Sequence, residues 1–599
     1  MKLNIKAMRS VIMKRISKDI WAVFKLLYQN KGRFSINALL LQLIMIFISS
    51  TYLILLFNMM LKVAGQSQLT INNWMEIVSH PASVILLIIF ILSVAFLIYV
   101  EFSLLVYMVY AGFDRQIITF KSIFKNAFVN VRKLIGVPVI FFVIYLMLMI
   151  PIANLGLSSV LTKNIYIPKF LTEELMKTTK GIIIYGTFMI AVFILNFKLI
   201  FTLPLTILNR QSLFKNMRLS WQITKRNKFR LVIEIVILEL IIGAILTLII
   251  SGATYLAICV DEEGDKFLVS SILFVVLKSS LFFYYLFTKL SLISVLVLHL
   301  KQENVLDQPG LEFKYPKPKR KSRFFIISMV LAVTCFVGYN MYLLYNNTIN
   351  TNISIIGHRG FEDKGVENSI PSLKAAAKAN VEYVELDTIM TKDKQFVVSH
   401  DNNLKRLTGV NKNISESNFK DVVGLKMRQN RHEAKLVSLD EFIETAKQSN
   451  VKLLVELKPH GKEPADYTQR VIDILKKHGV EHQYRVMSLD YDVMTKLKKE
   501  APYLKCGYII PLQFGHFKET SLDFFVIEDF SYSPRLVNQA HLENKEVYTW
   551  TINGEEDLTK YLQTNVDGII TDDPALADQI KEEKKDETYF DRSIRILFE

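Results

Sequence analysis

Long apolar runs dominate the first 346 residues of the chain, and short alternating ones dominate the rest. A helix that crosses a bilayer needs about 20 mostly apolar residues. Seven stretches reach that length, at about 35–61, 83–111, 134–156, 181–208, 231–258, 267–300 and 324–346. The segments between them differ in charge. Basic residues fill 112–133 (Arg115, Lys121, Lys125, Arg132, Lys133), 209–230 (seven lysines and arginines from Arg210 to Arg230) and 301–323 (Lys314 to Arg323). The loop 62–82 is nearly uncharged, 259–266 is acidic and 157–180 is mixed. Lysine- and arginine-rich loops stay in the cytoplasm. The pattern therefore predicts a cytoplasmic N-terminus and, after seven crossings, an extracytoplasmic chain beyond residue 346. Glu101, Lys198, Glu239, Lys278 and Lys289 fall inside spans, where charges usually face the bundle interior. They read as ion pairs and snorkelling lysines in preference to a polar groove for a phosphate-bearing lipid or polymer.

Beyond residue 346 the apolar runs shorten to about five residues and alternate with amphipathic helical patterns, as in a parallel α/β fold. Candidate strands are 354–357, 383–388, 396–399, 452–457, 484–488, 505–510, 524–527, 546–550 and 568–571. Helical patterns cover 370–380, 439–450, 466–479 and 490–500. Nine candidates serve the eight strands of a TIM barrel if 396–399 is a hairpin extension, and a length of about 240 residues suits that barrel. The predicted architecture is an α-helical membrane bundle of about seven spans followed by an α/β TIM barrel. Its parts are a basic cytoplasmic segment (1–33), a six-helix membrane domain (34–323), a seventh transmembrane helix (324–346) and an extracytoplasmic barrel (347–599).

Composition narrows this picture. The 599 residues exceed one ordinary domain, and 51% are hydrophobic, which fits membrane segments. Much of the net charge of +16 lies in the short basic loops. No basic stripe with interleaved aromatics stands on the barrel, so nucleic acid is not an expected partner. Cys259, Cys335 and Cys506 are far apart with no CxxC pair, which leaves them as packing residues. The basic start, Lys2 to Lys18, precedes the first apolar run near Phe34 and reads as a retained cytoplasmic segment, not a secretory signal.

Active-site residues of a TIM barrel sit at the C-terminal ends of its strands. Here His358, Arg359 and Gly360 end the first strand, Glu385 and Asp387 the second, and His400 and Asp401 follow 396–399. Glu456 and Lys458 end the 452–457 strand, and Trp550 ends 546–550. Glu385 and Asp387 are two apart, so both point to one face of a strand. With Glu456 they offer three carboxylates to one hard divalent cation, Ca²⁺ or Mg²⁺. Arg359 and Lys458 complete a phosphate clamp, and His358 and His400 can divide acid and base roles. Each residue alone also has a bland reading, such as a Lys458–Glu456 pair or His400 as a hydrogen-bonded loop residue. It is the ordered set at successive strand ends that favours chemistry.

Residues 354–574 resemble the glycerophosphodiester phosphodiesterase family. The marks are GHRG (357–360), ENS (367–369), ELDT (385–388) with TKD (391–393), SHD (399–401), VELK (455–458), WTIN (550–553) and DGIITDDP (567–574). The preceding spans are similar, in architecture, to the membrane domain fused to some bacterial members. The resemblance implies His358 and His400 as the catalytic pair and Glu385, Asp387 and Glu456 as ligands of one divalent cation. It implies Arg359 and Lys458 as phosphate contacts, Glu367 and Asn368 as a further substrate-binding element, and Trp550 as an aromatic at the glycerol end of the pocket. Ser369 stands where the family usually has threonine. The resemblance further implies hydrolysis of glycerophosphodiesters to glycerol 3-phosphate and an alcohol, by a cell-membrane protein. The expected substrates are lipid-derived glycerophosphodiesters or a cell-surface glycerophosphate polymer. Within 402–436, RLTGV (406–410) resembles the family's usual continuation, and the charged remainder is expected to form a small cap that selects the alcohol. Competing readings are a phospholipase-like headgroup hydrolase on the same barrel and a transporter or lipid-binding protein with a non-catalytic barrel.

Overall fold

In a computed structural model of the chain, the described residues are 2–118, 120–134, 136–149, 159, 161–162, 166–176, 178–306, 313–314 and 323–598. Among them, five helical segments are long and apolar enough to cross a membrane: Met13–Val63, Pro81–Phe113, Thr179–Leu208, Leu213–Val260 and Phe267–Gln302. The expected count of seven is not reached. The expected seventh span is a continuous 24-residue helix, Arg323–Asn346, whose apolar part includes Val330–Asn346, and the expected third contains the apolar helix Val137–Leu148. The third opens beside Gly136 and Pro138 with helix Val137–Met149. Residues 150–156 of that expected span lie outside the described residues. The basic N-terminal segment is continuous with the first span, because helix Lys2–Leu43 passes through a π-helical turn into Ser50–Val63.

The bundle packs around Tyr99, Tyr107, Phe142, Phe201, Leu205 and Leu296. Phe47, Ile183, Leu248 and Tyr255 remain exposed, as a lipid-facing belt requires. The charges within the spans find partners. Lys289 Nζ donates to Glu101 Oε1 at 2.7 Å and Ser159 Oγ donates to Glu101 Oε2. Lys198 Nζ lies 3.8 Å from the centre of the Trp221 ring and Lys278 Nζ 4.9 Å from that of Phe274. A second buried network goes beyond the expected charges. Arg230 pairs with Asp19 and Glu234, and His299 Nε2 lies 2.6 Å from Glu234 Oε2.

The loops divide into two groups. Strand β1 (Gln68–Thr70), between the first two long segments, pairs antiparallel with residues 513–515 of the barrel region. Tyr166 OH donates to Asp529 Oδ2 at 3.0 Å, and the backbone NH of Phe590 donates to the Gly264 carbonyl at 3.0 Å. The three basic loops contact one another instead. Ile117 and Ile118 pair with Lys314 and Phe313, and Asn209 Nδ2 donates to the Val305 carbonyl.

Eight parallel strands close a barrel: β2 (Ser354–Gly357), β3 (Tyr383–Met390), β5 (Lys452–Leu457), β6 (Arg485–Ser488), β7 (Lys505–Ile510), β9 (Phe524–Glu528), β10 (Glu546–Trp550) and β11 (Gly568–Thr571). The closing pair is β11 with β2, and β4 (Phe396–Val398) is an antiparallel extension on β3, as expected. β8 (Gln513–Gly515) is the partner of β1. Alternation along the strands builds two apolar layers. Leu453 and Val455 face the surrounding helices, whereas Leu454 joins Ile356, Met487, Ile509, Val526 and Ile570 inside the barrel. Further helices lie at Pro534–Leu542, Glu555–Tyr561, Pro574–Glu583 and Tyr589–Phe598. The segment 402–436 builds its own small core, in which Leu404, Ile414, Val422 and Met427 pack against Val366, Ile389 and Val397.

Candidate active site

The expected site residues converge at the C-terminal end of the barrel. The turn after β2 is tight. Gly360 has φ +96° and a Cβ there would lie 2.5 Å from Ser372 Oγ, so only glycine fits. Arg359 and Asn368 adopt left-handed φ values of 53° and 55°, a conformation that costs about 1 kcal/mol or more for such residues. Both are bound into the site. The Arg359 amide donates to Glu385 Oε2 at 2.8 Å and its Nη1 to Glu367 Oε1 at 3.2 Å. Asn368 Nδ2 donates to Asp387 Oδ2 at 2.8 Å, and its Oδ1 accepts from the Asp387 amide. Ser369 caps the helix Ile370–Lys378 with a reciprocal bond to Ser372, a role in which threonine and serine are interchangeable.

β3 carries Glu385 and Asp387 on one face, and the register sets Asp387 opposite Glu456 of β5. Ligand oxygens of Glu385, Asp387 and Glu456 lie within 4.8 Å of one another. Two cations reach this trio. Lys458 Nζ donates to Asp387 Oδ1 at 3.1 Å, and Arg359 Nε lies 3.4 Å from Asp387 Oδ2. The charge balance is uneven. Despite its burial, Asp387 is held well below the usual carboxylate range by Lys458, His400 and Arg359. Burial and the adjacent Asp387 push Glu385 up to about 8, and burial pushes Glu456 up to about 7 against the pull of Lys458. Two buried carboxyls are thus short of compensating charge. An all-oxygen donor set in that condition fits a divalent cation, and the resident groups leave it a reason to bind.

Both histidines are oriented by carboxylates. His358 Nδ1 lies 2.6 Å from Asp572 Oδ1, and Asp572 Oδ2 accepts from Asn553 Nδ2. Burial and Arg359 oppose a charged His358, yet Asp572 and Glu385 prevail and raise it to about 9. His400 Nδ1 lies 2.8 Å from Asp401 Oδ1. Burial wins there, and His400 is lowered. In each ring the Nδ1 partner leaves Nε2 as the atom for proton transfer.

Glu367 is the hub of a second layer. Arg406 binds it through both terminal nitrogens at 2.8 and 2.6 Å, and Arg406 Nε reaches Asp401 at 2.6 Å. Gln429 donates to both Glu362 and Glu367 at 3.0 Å. Despite burial, these arginine contacts lower Glu367 to about 2. Arg406 and Gln429 come from 402–436, so that segment fastens the expected substrate-binding glutamate. Trp550 ends β10, in register with Glu528, and packs on the apolar barrel interior. Asp572, Arg406, Gln429 and Asn553 were not among the expected site residues, although Asp572, Arg406 and Asn553 lie within the DGIITDDP, RLTGV and WTIN segments.

Comparison with known proteins identifies the family in both regions of the chain. Residues 20–340 match the family described as the membrane domain of glycerophosphoryl diester phosphodiesterase, and residues 358–576 match the glycerophosphoryl diester phosphodiesterase family. A glycerophosphodiester phosphodiesterase of Caldanaerobacter subterraneus subsp. tengcongensis is 27% identical over 231 residues, covering 37% of this chain and 94% of that protein. Human lysophospholipase D GDPD1 is 26% identical over 263 residues, covering 37% and 83% respectively. Among solved structures, an Oleispira antarctica phosphodiesterase in complex with the product sn-glycerol-3-phosphate is 22% identical, with a TM-score of 0.35, over 38% of this chain and 96% of that one. Matched in its membrane region and in its barrel, the chain belongs to the glycerophosphoryl diester phosphodiesterase family, in the form whose barrel follows a membrane domain.

Proposed function

We propose that the barrel (347–599) hydrolyses glycerophosphodiesters to glycerol 3-phosphate and an alcohol. The observation that carries this reading is the conjunction at one barrel end of three clustered carboxylates, two phosphate-binding cations and two carboxylate-oriented histidines. Arg359 and Lys458 bind the phosphate, held in place by Asp387. Glu367 and Asn368 fix Arg359 and Asp387, and Trp550 lines the glycerol end. Glu385, Asp387 and Glu456 would hold one Ca²⁺ or Mg²⁺, which when bound neutralises charge on the phosphoryl oxygens. The opposite shifts of the two histidines divide the proton work. His400, neutral, accepts the proton of the attacking oxygen, either water or the substrate's own glycerol hydroxyl; in the second case a cyclic glycerophosphate forms, and water then opens it to glycerol 3-phosphate. His358, protonated, donates to the departing alcohol oxygen as the P–O bond breaks.

The barrel belongs, in this proposal, on the outer face of the membrane, with the N-terminus in the cytoplasm. Two features support that reading. The nearly uncharged, the acidic and the mixed loop are those that touch the barrel region, and the three basic loops touch one another. Substrates at that face would be lipid-derived glycerophosphodiesters or a glycerophosphate polymer.

The test is hydrolysis by the full-length protein in lipid nanodiscs of glycerophosphoglycerol and glycerophosphocholine, read as glycerol 3-phosphate, and of lysophosphatidylcholine, read as choline release. It is run with Ca²⁺, with Mg²⁺ and with chelator. Cation-dependent release is expected, with His358→Ala and His400→Ala each lowering it by roughly 10²- to 10⁴-fold. Lysophosphatidylcholine cleaved in preference to both deacylated diesters would replace the proposal with the headgroup-hydrolase reading. Absence of release under every condition would overturn it in favour of a binding role.

A further inference from the structure

The membrane region supplies one wall of the barrel's cleft. A cavity of about 670 Å³ opens from Glu456 and Lys458 on one side and is closed on the other by Gln66, Gln68, Thr70, Asn72 and Asn73. Those five residues belong to the loop between the first two long segments, more than 380 residues earlier in the chain than Lys458.

The loop is seated, not merely adjacent. Gln68, Leu69 and Thr70 pair with Gly515, Phe514 and Gln513. The His516 amide donates to the Ser67 carbonyl at 3.0 Å, and the Lys518 amide donates to Gln68 Oε1 at 3.2 Å. Phe57, from the first segment, meets Phe514 edge-on at 6.3 Å. Gly515 permits the approach, since it has φ +90° and a Cβ there would lie 2.6 Å from the Ser67 carbonyl oxygen. Within the loop, Asn73 holds the shape by accepting from Thr70 and donating to Gln66 and to the Gln68 carbonyl. Asn72 Nδ2 spans the cleft to Tyr508 OH at 3.0 Å.

We propose that this loop is the subsite for the second alcohol of the substrate, and that Asn72 selects phosphodiesters whose second alcohol is an uncharged polyol. The inference rests on the phosphodiesterase reading, in which Lys458 holds the phosphate and Trp550 marks the glycerol side. Lys458 ends β5 and Trp550 ends β10, on different arcs of the barrel, so the cavity beside Lys458 is left for the other ester arm. Its loop wall is rich in amides and hydroxyl, which both donate to and accept from hydroxyl groups. Of the lining carboxylates besides Glu456, Glu76 accepts from Gln66 Nε2 at 2.7 Å, Asp490 accepts from the Asp492 and Val493 amides at 3.0 Å, and Asp492 shares the barrel wall with Lys518. A quaternary ammonium group would seek an open aromatic face, but Lys518 Nζ already stands 4.9 Å from the Tyr491 ring centre. An acyl chain would meet carboxamides it cannot satisfy. Exposed Trp74 and Met75 follow directly on the loop, and tryptophan favours the membrane interface. The cleft therefore opens at the lipid surface, and the bundle takes part in choosing the substrate.

The experiment compares kcat/KM for glycerophosphoglycerol and glycerophosphocholine in full-length wild type, Asn72→Ala and Asn72→Asp, all in nanodiscs with the activating cation. Loss of one hydrogen-bonding group to the substrate is worth about tenfold. Asn72→Ala is expected to lower kcat/KM for glycerophosphoglycerol by about that factor, mainly through KM, and to leave glycerophosphocholine within about twofold. Asn72→Asp, by adding a negative charge, is expected to shift the ratio further toward the choline ester. Circular dichroism and thermal melting serve to verify the fold of each variant. An active wild type whose substrate ratio neither substitution changes would overturn this inference and leave the phosphodiesterase reading standing. A wild type inactive on both esters under every cation would overturn that reading and this inference with it.

Discussion

The two ends of the barrel bury charge in opposite ways. At the N-terminal end, Arg485 lies inside, with Nη1 2.7 Å from Glu546 Oε2 and Nε donating to Tyr383 OH at 3.0 Å. The rings of Tyr383, Phe524 and Tyr548 surround its guanidinium at 5.3–5.7 Å. One cation meets one carboxylate, and the plug closes the barrel floor. At the other end three carboxylates crowd together, and both nearby cations engage Asp387 most closely. Glu385 and Glu456 are left raised, to about 8 and about 7. A balanced pair is a structural device; an imbalance of buried carboxylates is a seat for something positive. The Glu101–Lys289 pair of the membrane region falls on the structural side of this division.

The contrast can be broken by substitution. Glu385→Gln should show the largest effect, a loss of turnover of roughly 10²-fold or more, comparable with removing a group that stabilises charge in the transition state. Arg485→Met should leave the cation response intact but destabilise the protein by about 2 kcal/mol, since it removes a charged hydrogen bond while Glu546 keeps the Tyr548 hydroxyl. Chemical denaturation of the two variants checks this opposition. A smaller effect concerns pH. Without a cation, folded Glu385 keeps its proton up to about 8, whereas an unfolded glutamic acid loses it near its ordinary 4.5. The folded state then binds more protons, so stability falls as pH rises through that window. In chelator, Glu385→Gln should therefore stabilise the protein at pH 8 by about 1 kcal/mol or more and do little at pH 4.5. Thermal melting at the two pH values tests the sign. The smallest effect belongs to the exposed pair of Lys426 and Glu433 on the 426–435 hairpin. Lys426→Ala should change neither turnover nor melting measurably, as for most surface pairs.

What the sequence revealed and what it hid follow from the range of the interactions. The nine strands were legible because each is a short apolar run between amphipathic stretches. The carboxylates were legible because i and i+2 share a strand face and because barrel sites collect at strand ends. Asp572 was visible as a residue but not as the partner of His358, because that contact exists only once β11 closes against β2. Arg406 and Gln429 were hidden for the same reason, since each lies in an element of four residues, too short for a period to show. The loop 62–82 was read only as nearly uncharged, although its amides meet the barrel through a pairing between residues some 445 apart.

The most direct test of the imbalance is a cation titration of the full-length protein, monitored by melting temperature, with Ca²⁺ and Mg²⁺ each added to chelated wild type and Glu385→Gln. A ligand at about 100 times its Kd adds about 2.7 kcal/mol of stability. The account predicts a saturable rise in wild type with at least one of the two cations, and its loss in Glu385→Gln. A wild type that gains nothing, or a variant that gains as much as wild type, would contradict the claim that these carboxylates are a cation's seat.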